Sequence, residues 1–153
     1  MASWFMDLPV LLLLLFLMHE DFTAREVSAW IFPVLGVLWI TRTIIVSGIS
    51  FFITDFPLNL LLVLLFTGII RLHARLAQKR AGDLIGEGDS WFMVLLTTVF
   101  LFPTLLLFMN LSWGAALLWW VFTRSERGIP LVGIQAACFI LLLVFSWSRY
   151  LYE

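Results

Sequence analysis

The sequence predicts an all-α, polytopic membrane protein with about six transmembrane helices and both termini outside. Of its 153 residues, 63% are hydrophobic and only 12% are charged, and the apolar residues come in long runs separated by short polar connections. A soluble domain of this size would have too little polar surface to face water. A bilayer core about 30 Å thick takes roughly 20 helical residues and offers no water to backbone groups, so we expect helices rather than strands.

Each predicted span has its own signal in the sequence. Leu11 to Leu17 form the centre of the first span, and Leu60 to Leu65 form the centre of the third. The fourth begins after Gly86-Glu87-Gly88-Asp89 and turns at Phe102-Pro103, because proline lacks the amide hydrogen that a helix interior needs. Several spans are short, so we expect tilting or local bilayer thinning. The predicted spans, in order, are Trp4–Met18, Ala29–Val46, Phe56–Leu72, Ser90–Leu101, Thr104–Phe122 and Pro130–Trp147.

The first apolar segment has a rival interpretation as a cleaved secretory signal. No Lys or Arg precedes Arg25, and MHEDFTA offers no small-x-small cleavage site, so we interpret the segment as a span. The short connections leave no room for a soluble domain, and residues 1–153 are therefore predicted to form a single membrane domain.

The basic residues predict the orientation. Seven of the nine Lys and Arg residues fall in the first, third and fifth connections, and only Arg42 and Arg149 do not. By the positive-inside rule these three connections are cytoplasmic, which places both termini outside. The seven residues are Arg25, Arg71, Arg75, Lys79, Arg80, Arg124 and Arg127.

The composition argues against several other kinds of site. The lone cysteine, Cys138, excludes an intramolecular disulfide and a multi-cysteine zinc site. His19 and His73 lack metal-ligand spacing on a common helix face, so we expect no metal and no cofactor. The net charge of −1 gives no sign of a nucleic-acid partner, and the basic connections are better explained by topology and anionic lipid.

Two acids lie at the predicted inner ends of spans. Asp21 follows the first span and Asp89 opens the fourth, so helix packing could bring both to the same membrane depth. Two carboxyl groups held close together repel each other when both are ionised, so one keeps a proton at neutral pH while the other stays charged. Such a pair supplies a base that deprotonates water and an acid that protonates a peptide carbonyl. The pattern therefore indicates hydrolysis by two carboxylates.

Two glycines precede Asp89. Gly86 and Gly88 permit positive φ angles and close backbone approach, so a substrate strand could lie against this loop. Taken alone, the same residues make an ordinary turn, in which Asp89 starts the helix by accepting an amide hydrogen bond. Both interpretations stay open at this point.

The whole pattern resembles the type IV prepilin peptidases and the related archaeal preflagellin peptidases, six-span aspartic endopeptidases of the GxGD type. The resemblance covers nearly the full chain. It is carried by Asp21 in DFTAREVSAW, by Gly86-Glu87-Gly88-Asp89, by Pro103, and by RGIPLVG at residues 127–133. Two features depart from the family pattern: Val27-Ser28-Ala29 stands where Ile-Pro-Asn is common, and Ser90-Trp91-Phe92 stands where a lysine is common.

The resemblance implies a function and a partner. Asp21 and Asp89 would be the catalytic pair, supported by Gly86 and Gly88. The substrate would be the leader of a pilin-like precursor, cut at the cytoplasmic face of the cell (inner) membrane. Many bacterial members carry a cysteine-rich insert linked to methyltransferase activity, for which Met18 and Ala29 stand too close together, so we expect peptidase activity alone. The sequence leaves open whether the protein forms a homo-oligomer.

Two other classes of protein compete with this interpretation. The first is a non-enzymatic membrane protein, either a small proton-coupled transporter that uses Asp89 as a relay or an assembly factor. Transporters usually hold ionisable groups near the bilayer midplane, whereas both candidate acids lie at the ends of spans. The second is an intramembrane protease of the presenilin type, whose first aspartate normally follows a tyrosine; Glu20 precedes Asp21 here.

Overall fold

The computed structural model describes residues 4–78, 86–123 and 129–152. These residues form six α-helices and no strand, so the predicted all-α class with six helices is confirmed for the described chain. Asp83 and the basic residues Lys79, Arg80, Arg124 and Arg127 lie outside the described residues. The helices are α1 Trp4–Ala24, α2 Ile31–Ser47, α3 Ser50–Leu76, α4 Glu87–Leu96, α5 Phe102–Thr123 and α6 Leu131–Tyr152.

The predicted fourth span is wrong in its extent. It was expected to continue to Leu101 and turn at Phe102-Pro103, but α4 has 10 residues and ends at Leu96. Pro103 lies instead in the first turn of α5. A proline is harmless there, because the first amides of a helix have no acceptor within it. At a rise of about 1.5 Å per residue, α4 is about 15 Å long, half the thickness of a bilayer core.

The described chain divides into two compact units, of which the first comprises the residues up to Ile31 and from Leu107 onward. Within it, α1 packs against α6. The buried face of α1 is a helical stripe of Val10, Leu14 and Leu17, each 1% exposed or less. Asp21 continues this stripe at the next helical spacing, which turns its side chain inward.

The second unit comprises Phe32–Leu106. Here α3 packs against α4, and α2 meets α4 where the rings of Trp39 and Phe92 lie 5.9 Å apart. A Cβ added to Gly36 of α2 would stand 3.1 Å from a methyl carbon of Leu95, so α2 and α4 approach closely at this glycine. Both aromatic side chains are fully buried, and they anchor α4 inside the unit.

Two of the described helices, α3 and α5, are long and apolar enough to cross a membrane by length and composition. In the most apolar stretch of each helix, only 11% of α3 and 22% of α5 is buried inside the protein. In a soluble protein, apolar helices of this length would bury most of these side chains. This exposure gives weak support to the predicted membrane domain. The shorter apolar stretches are α2 and the part of α6 that comprises Leu131–Ser146.

Candidate active site

Asp21 lies in the last turn of α1 and is only 7% exposed. Its Oδ2 accepts a hydrogen bond of 2.6 Å from the backbone N–H of Gly133, 112 positions further along the chain. Gly133 is the third residue of α6, and its amide belongs to the group that has no acceptor within the helix. The carboxylate of α1 therefore satisfies the first turn of α6 and is itself held in place by it.

Gly133 permits this contact because it has no side chain. A Cβ at this position would stand 2.8 Å from two ring carbons of Phe22 and 3.2 Å from Asp21 Oδ2. The Phe22 ring in turn packs edge-on against Trp119, with 5.2 Å between ring centroids. Since the ring is confined on its other side, α1 and α6 could not approach as closely with a larger residue at 133.

Burial raises the pKa of the Asp21 carboxyl above its ordinary value. The hydrogen bond from Gly133 and the positive charge of Arg25 act in the opposite direction, but they are the smaller effects. Asp21 lies beyond the predicted end of the first span at Met18, and its environment favours the protonated form more than water does. This is the property expected of the proton-holding member of a carboxylate pair.

The turn that follows Asp21 is held by its neighbour Glu20. Its two carboxylate oxygens accept hydrogen bonds from the backbone N–H of Ser28 at 2.8 Å and from the Ser28 hydroxyl at 2.6 Å. Arg25 has a φ of 59°, a left-handed conformation that is uncommon for a residue with a side chain. The Glu20–Ser28 bonds compensate for this strain by closing the turn, so the segment just after Asp21 is an ordered part of the first unit.

Asp89 lies in the first turn of α4, in the second unit. Its Oδ2 accepts a hydrogen bond of 2.9 Å from the backbone N–H of Gly86, the residue before the helix. The expected amide bond is therefore present, but α4 begins at Glu87, so Asp89 makes this bond as the third helical residue and not as the residue that starts the helix. The Asp89 carboxyl group is thus held at the N-terminal end of α4 by a backbone donor.

The predicted use of positive φ angles at the two glycines is wrong. Gly86 has φ −66° and ψ 154°, which is extended backbone, and Gly88 lies within α4. The absence of a side chain matters at Gly86 for another reason: a Cβ there would stand 3.1 Å from Asp89 Oδ2. Gly86 thus allows the Asp89 carboxylate to approach the backbone.

The two predicted catalytic acids lie in different compact units, and their sharing of one proton stays a prediction. Each is held by a backbone amide of its own unit: Asp21 by Gly133 and Asp89 by Gly86. Both amides belong to glycines of the two quoted motifs. Sequence reasoning quoted RGIPLVG without assigning a role to Gly133, which only the contact between α1 and α6 reveals.

Sequence reasoning also missed Asn59, a fully buried amide on α3. Its Nδ2 donates to the carbonyl oxygens of Thr97 at 3.2 Å and Phe100 at 2.6 Å, in the connection between α4 and α5. The signal was present, because a polar side chain inside an apolar run is costly in lipid and usually has a specific partner.

Comparison with protein-family models, curated proteins and solved structures finds no match to this chain. The resemblance to the prepilin peptidases stays a prediction from the sequence motifs.

Proposed function

We propose that this protein is a membrane aspartic endopeptidase of the prepilin peptidase type, which cleaves the leader of a pilin-like precursor at the cytoplasmic face. The observation that supports this proposal most directly is the state of Asp21. A carboxyl group that is buried, bound through Oδ2 to Gly133 and biased toward protonation is suited to general acid catalysis.

The two acids take different roles in this proposal. Asp89, whose carboxyl group is held at the start of α4 by the amide of Gly86, acts as the base that removes a proton from the attacking water. Asp21 donates its proton to the oxygen of the scissile carbonyl, which stabilises the tetrahedral intermediate as the negative charge develops. The C–N bond then breaks as the proton taken by Asp89 passes to the departing amine. The hydroxyl formed from the scissile carbonyl returns its proton to Asp21 as the carbonyl reforms, so both carboxyl groups are back in their starting states.

The membrane setting follows from the same proposal. An amino terminus outside, followed by three spans, would place the first and third connections, and with them the candidate acids, on the cytoplasmic side of the cell (inner) membrane. The exposed apolar faces of α3 and α5 would contact lipid. The substrate is then a precursor whose leader lies in the cytoplasm and whose apolar helix lies in the bilayer. No methyltransferase domain is part of this proposal.

The decisive experiment measures cleavage of a pilin-like precursor by the purified protein in lipid nanodiscs. Asp21→Asn and Asp89→Asn should each abolish cleavage while the protein still folds, because the amide keeps the shape of the side chain and removes its proton chemistry. Glu26→Gln is the matched control, since Glu26 is an exposed acid in the same connection as Asp21. Cleavage by both Asn variants at the wild-type rate would refute the assigned pair.

A second candidate function is supported by one observation. The helical path of α4 and α5 is interrupted at 97–101, and interrupted helices also form substrate sites in transporters. A proton-coupled transporter would acidify or alkalinise proteoliposomes in response to its substrate, and the Asp89→Asn change would stop this flux. An assembly factor would show neither precursor cleavage nor flux.

A further inference from the structure

The connection between α4 and α5 is a built polar site inside the second unit. Thr97 and Thr98 are buried, and their hydroxyls turn back to the carbonyl oxygens of Val94 at 2.6 Å and Leu95 at 2.7 Å. The backbone amides of the same two residues also bond to these carbonyls three residues earlier. α4 therefore ends in a tightened turn, and the carbonyls that follow need donors from other helices.

Asn59 supplies two of these donors. It is 0% exposed, and its Nδ2 bonds both Thr97 O and Phe100 O, at the two ends of the connection. Its Oδ1 is buried and has no hydrogen-bond partner. Exchanging the amide nitrogen and oxygen would lose both donated bonds, so the orientation is determined by the carbonyls of the connection. A buried acceptor is left unpaired so that both carbonyls are satisfied.

Two further side chains complete this arrangement. The hydroxyl of Thr43, on α2, donates to Thr98 O at 2.8 Å and is 2% exposed. Asp55, one turn before Asn59 on α3, accepts the backbone N–H of Phe102 at 3.0 Å, at the start of α5. The end of α4 and the start of α5 are thus held by α2 and α3 together. We call Thr43, Asp55 and Asn59 the clamp.

We propose that Asn59 is a positioning residue that sets where α4 lies along its own axis. Through α4 it also sets the position of Asp89 along that axis. Asp89 and Thr97 are separated by eight residues, or about 12 Å along a helix. A helix of ten residues moves as a rigid rod, and the buried Phe92 and Met93 lie in its middle, between Asp89 and Thr97. A shift at the clamp therefore moves the carboxylate at the other end. The catalytic consequence rests on the proposed function; the position of α4 does not.

The experiment measures position and activity separately. A nitroxide is attached to Trp91→Cys in a Cys138→Ala background, because Trp91 is 60% exposed on α4 and Cys138 would otherwise be labelled. Power saturation with oxygen and a nickel chelate then reports the depth of the label in nanodiscs of phosphatidylethanolamine and phosphatidylglycerol. Cleavage of the precursor is measured in the unlabelled variants.

Asn59→Leu keeps nearly the size of the side chain and removes both donors together with the unpaired acceptor. We expect the label to move by about one helical residue, about 1.5 Å, and kcat to fall by about 100-fold with little change in KM. Thr43→Val removes only one bond, and its shift should be smaller and in the same direction.

Gln135→Leu is the matched control, since Gln135 is equally buried, has an unpaired amide oxygen and lies in the first unit. A general loss of packing would affect both Asn59→Leu and Gln135→Leu, whereas repositioning of α4 is expected only where a bond of the clamp is removed. A label depth and a kcat that stay at wild-type values in Asn59→Leu and Thr43→Val would overturn the proposal. A wild-type protein that cleaves nothing would refute the peptidase function, while the depth measurement would still decide the role of Asn59.

Discussion

A methyl group at Gly133 tests whether the contact between α1 and α6 is as close as the structure shows. In Gly133→Ala the new carbon would stand 2.8 Å from the Phe22 ring and 3.2 Å from Asp21 Oδ2. Overpacking of this kind costs about 1–3 kcal/mol, and weakening the bond to Asp21 costs about 1 kcal/mol more. The higher helix propensity of alanine offsets at most about 1 kcal/mol of this loss in the free energy of unfolding. The expected net loss in the free energy of unfolding is about 2 kcal/mol.

The assay is thermal unfolding in nanodiscs, in which this loss corresponds to a Tm lower by about 4–8 °C for a chain of this size. Gly114→Ala is the matched control, because Gly114 lies within α5 and a Cβ there would meet nothing within 4 Å. That variant should be as stable as wild type or slightly more so, by up to about 1 kcal/mol. If both variants were equally stabilising, the close approach at Gly133 and the positioning of Asp21 that depends on it would be refuted.

Two further predictions concern the turn at the end of α1. Burial raises the pKa of Asp21 above its ordinary value of 3.8, so the folded protein keeps a proton that the unfolded chain releases, and stability falls as the pH rises through this window. Asp21→Asn keeps an acceptor for the Gly133 amide but has no charge. The Tm of this variant minus that of wild type should therefore increase from about pH 4 toward pH 7. A Tm difference that becomes smaller as the pH rises would contradict this. Glu20→Ala removes both bonds to Ser28 and should lower the free energy of unfolding by about 1–2 kcal/mol, measured by chemical denaturation. The exposed Glu26→Ala should change it by less than about 0.5 kcal/mol, and equal effects of the two substitutions would show that the Glu20–Ser28 bonds do not stabilise the turn.

The helices were predictable because each apolar run is a local property of the chain. The boundaries were less so: α3 begins at Ser50 although its predicted span began at Phe56, and α1 continues past Met18 to Ala24. The extension of α1 is mainly polar, and that of α3 mixes Phe51, Phe52 and Ile53 with polar residues, so hydropathy does not mark where either helix begins or ends. Pro103 misled the prediction in a different way. It was expected to break a helix, but the break at 97–101 is stabilised by Asn59 and Thr43, whose partners lie far along the sequence.

The candidate site divides in the same manner. The bond between Gly86 and Asp89 spans three residues, and the tendency of an acid at a helix start to accept an amide was enough to foresee it. The bond between Gly133 and Asp21 spans 112 positions and depends on how α1 packs against α6. Nothing within the leucine-rich run of α1 marks the stripe that faces inward, because nearly every residue of the run is apolar.

Sequence alone thus determined the number and class of the helices, the polar connections between them and the two acids worth testing, since these depend on composition and on neighbours within a turn or two. Only the tertiary structure decided which carboxyl is buried, which glycine lets two helices meet, and which amide holds the interrupted end of α4. Those properties come from contacts between distant segments, where a difference of about one methyl group decides whether an approach is allowed.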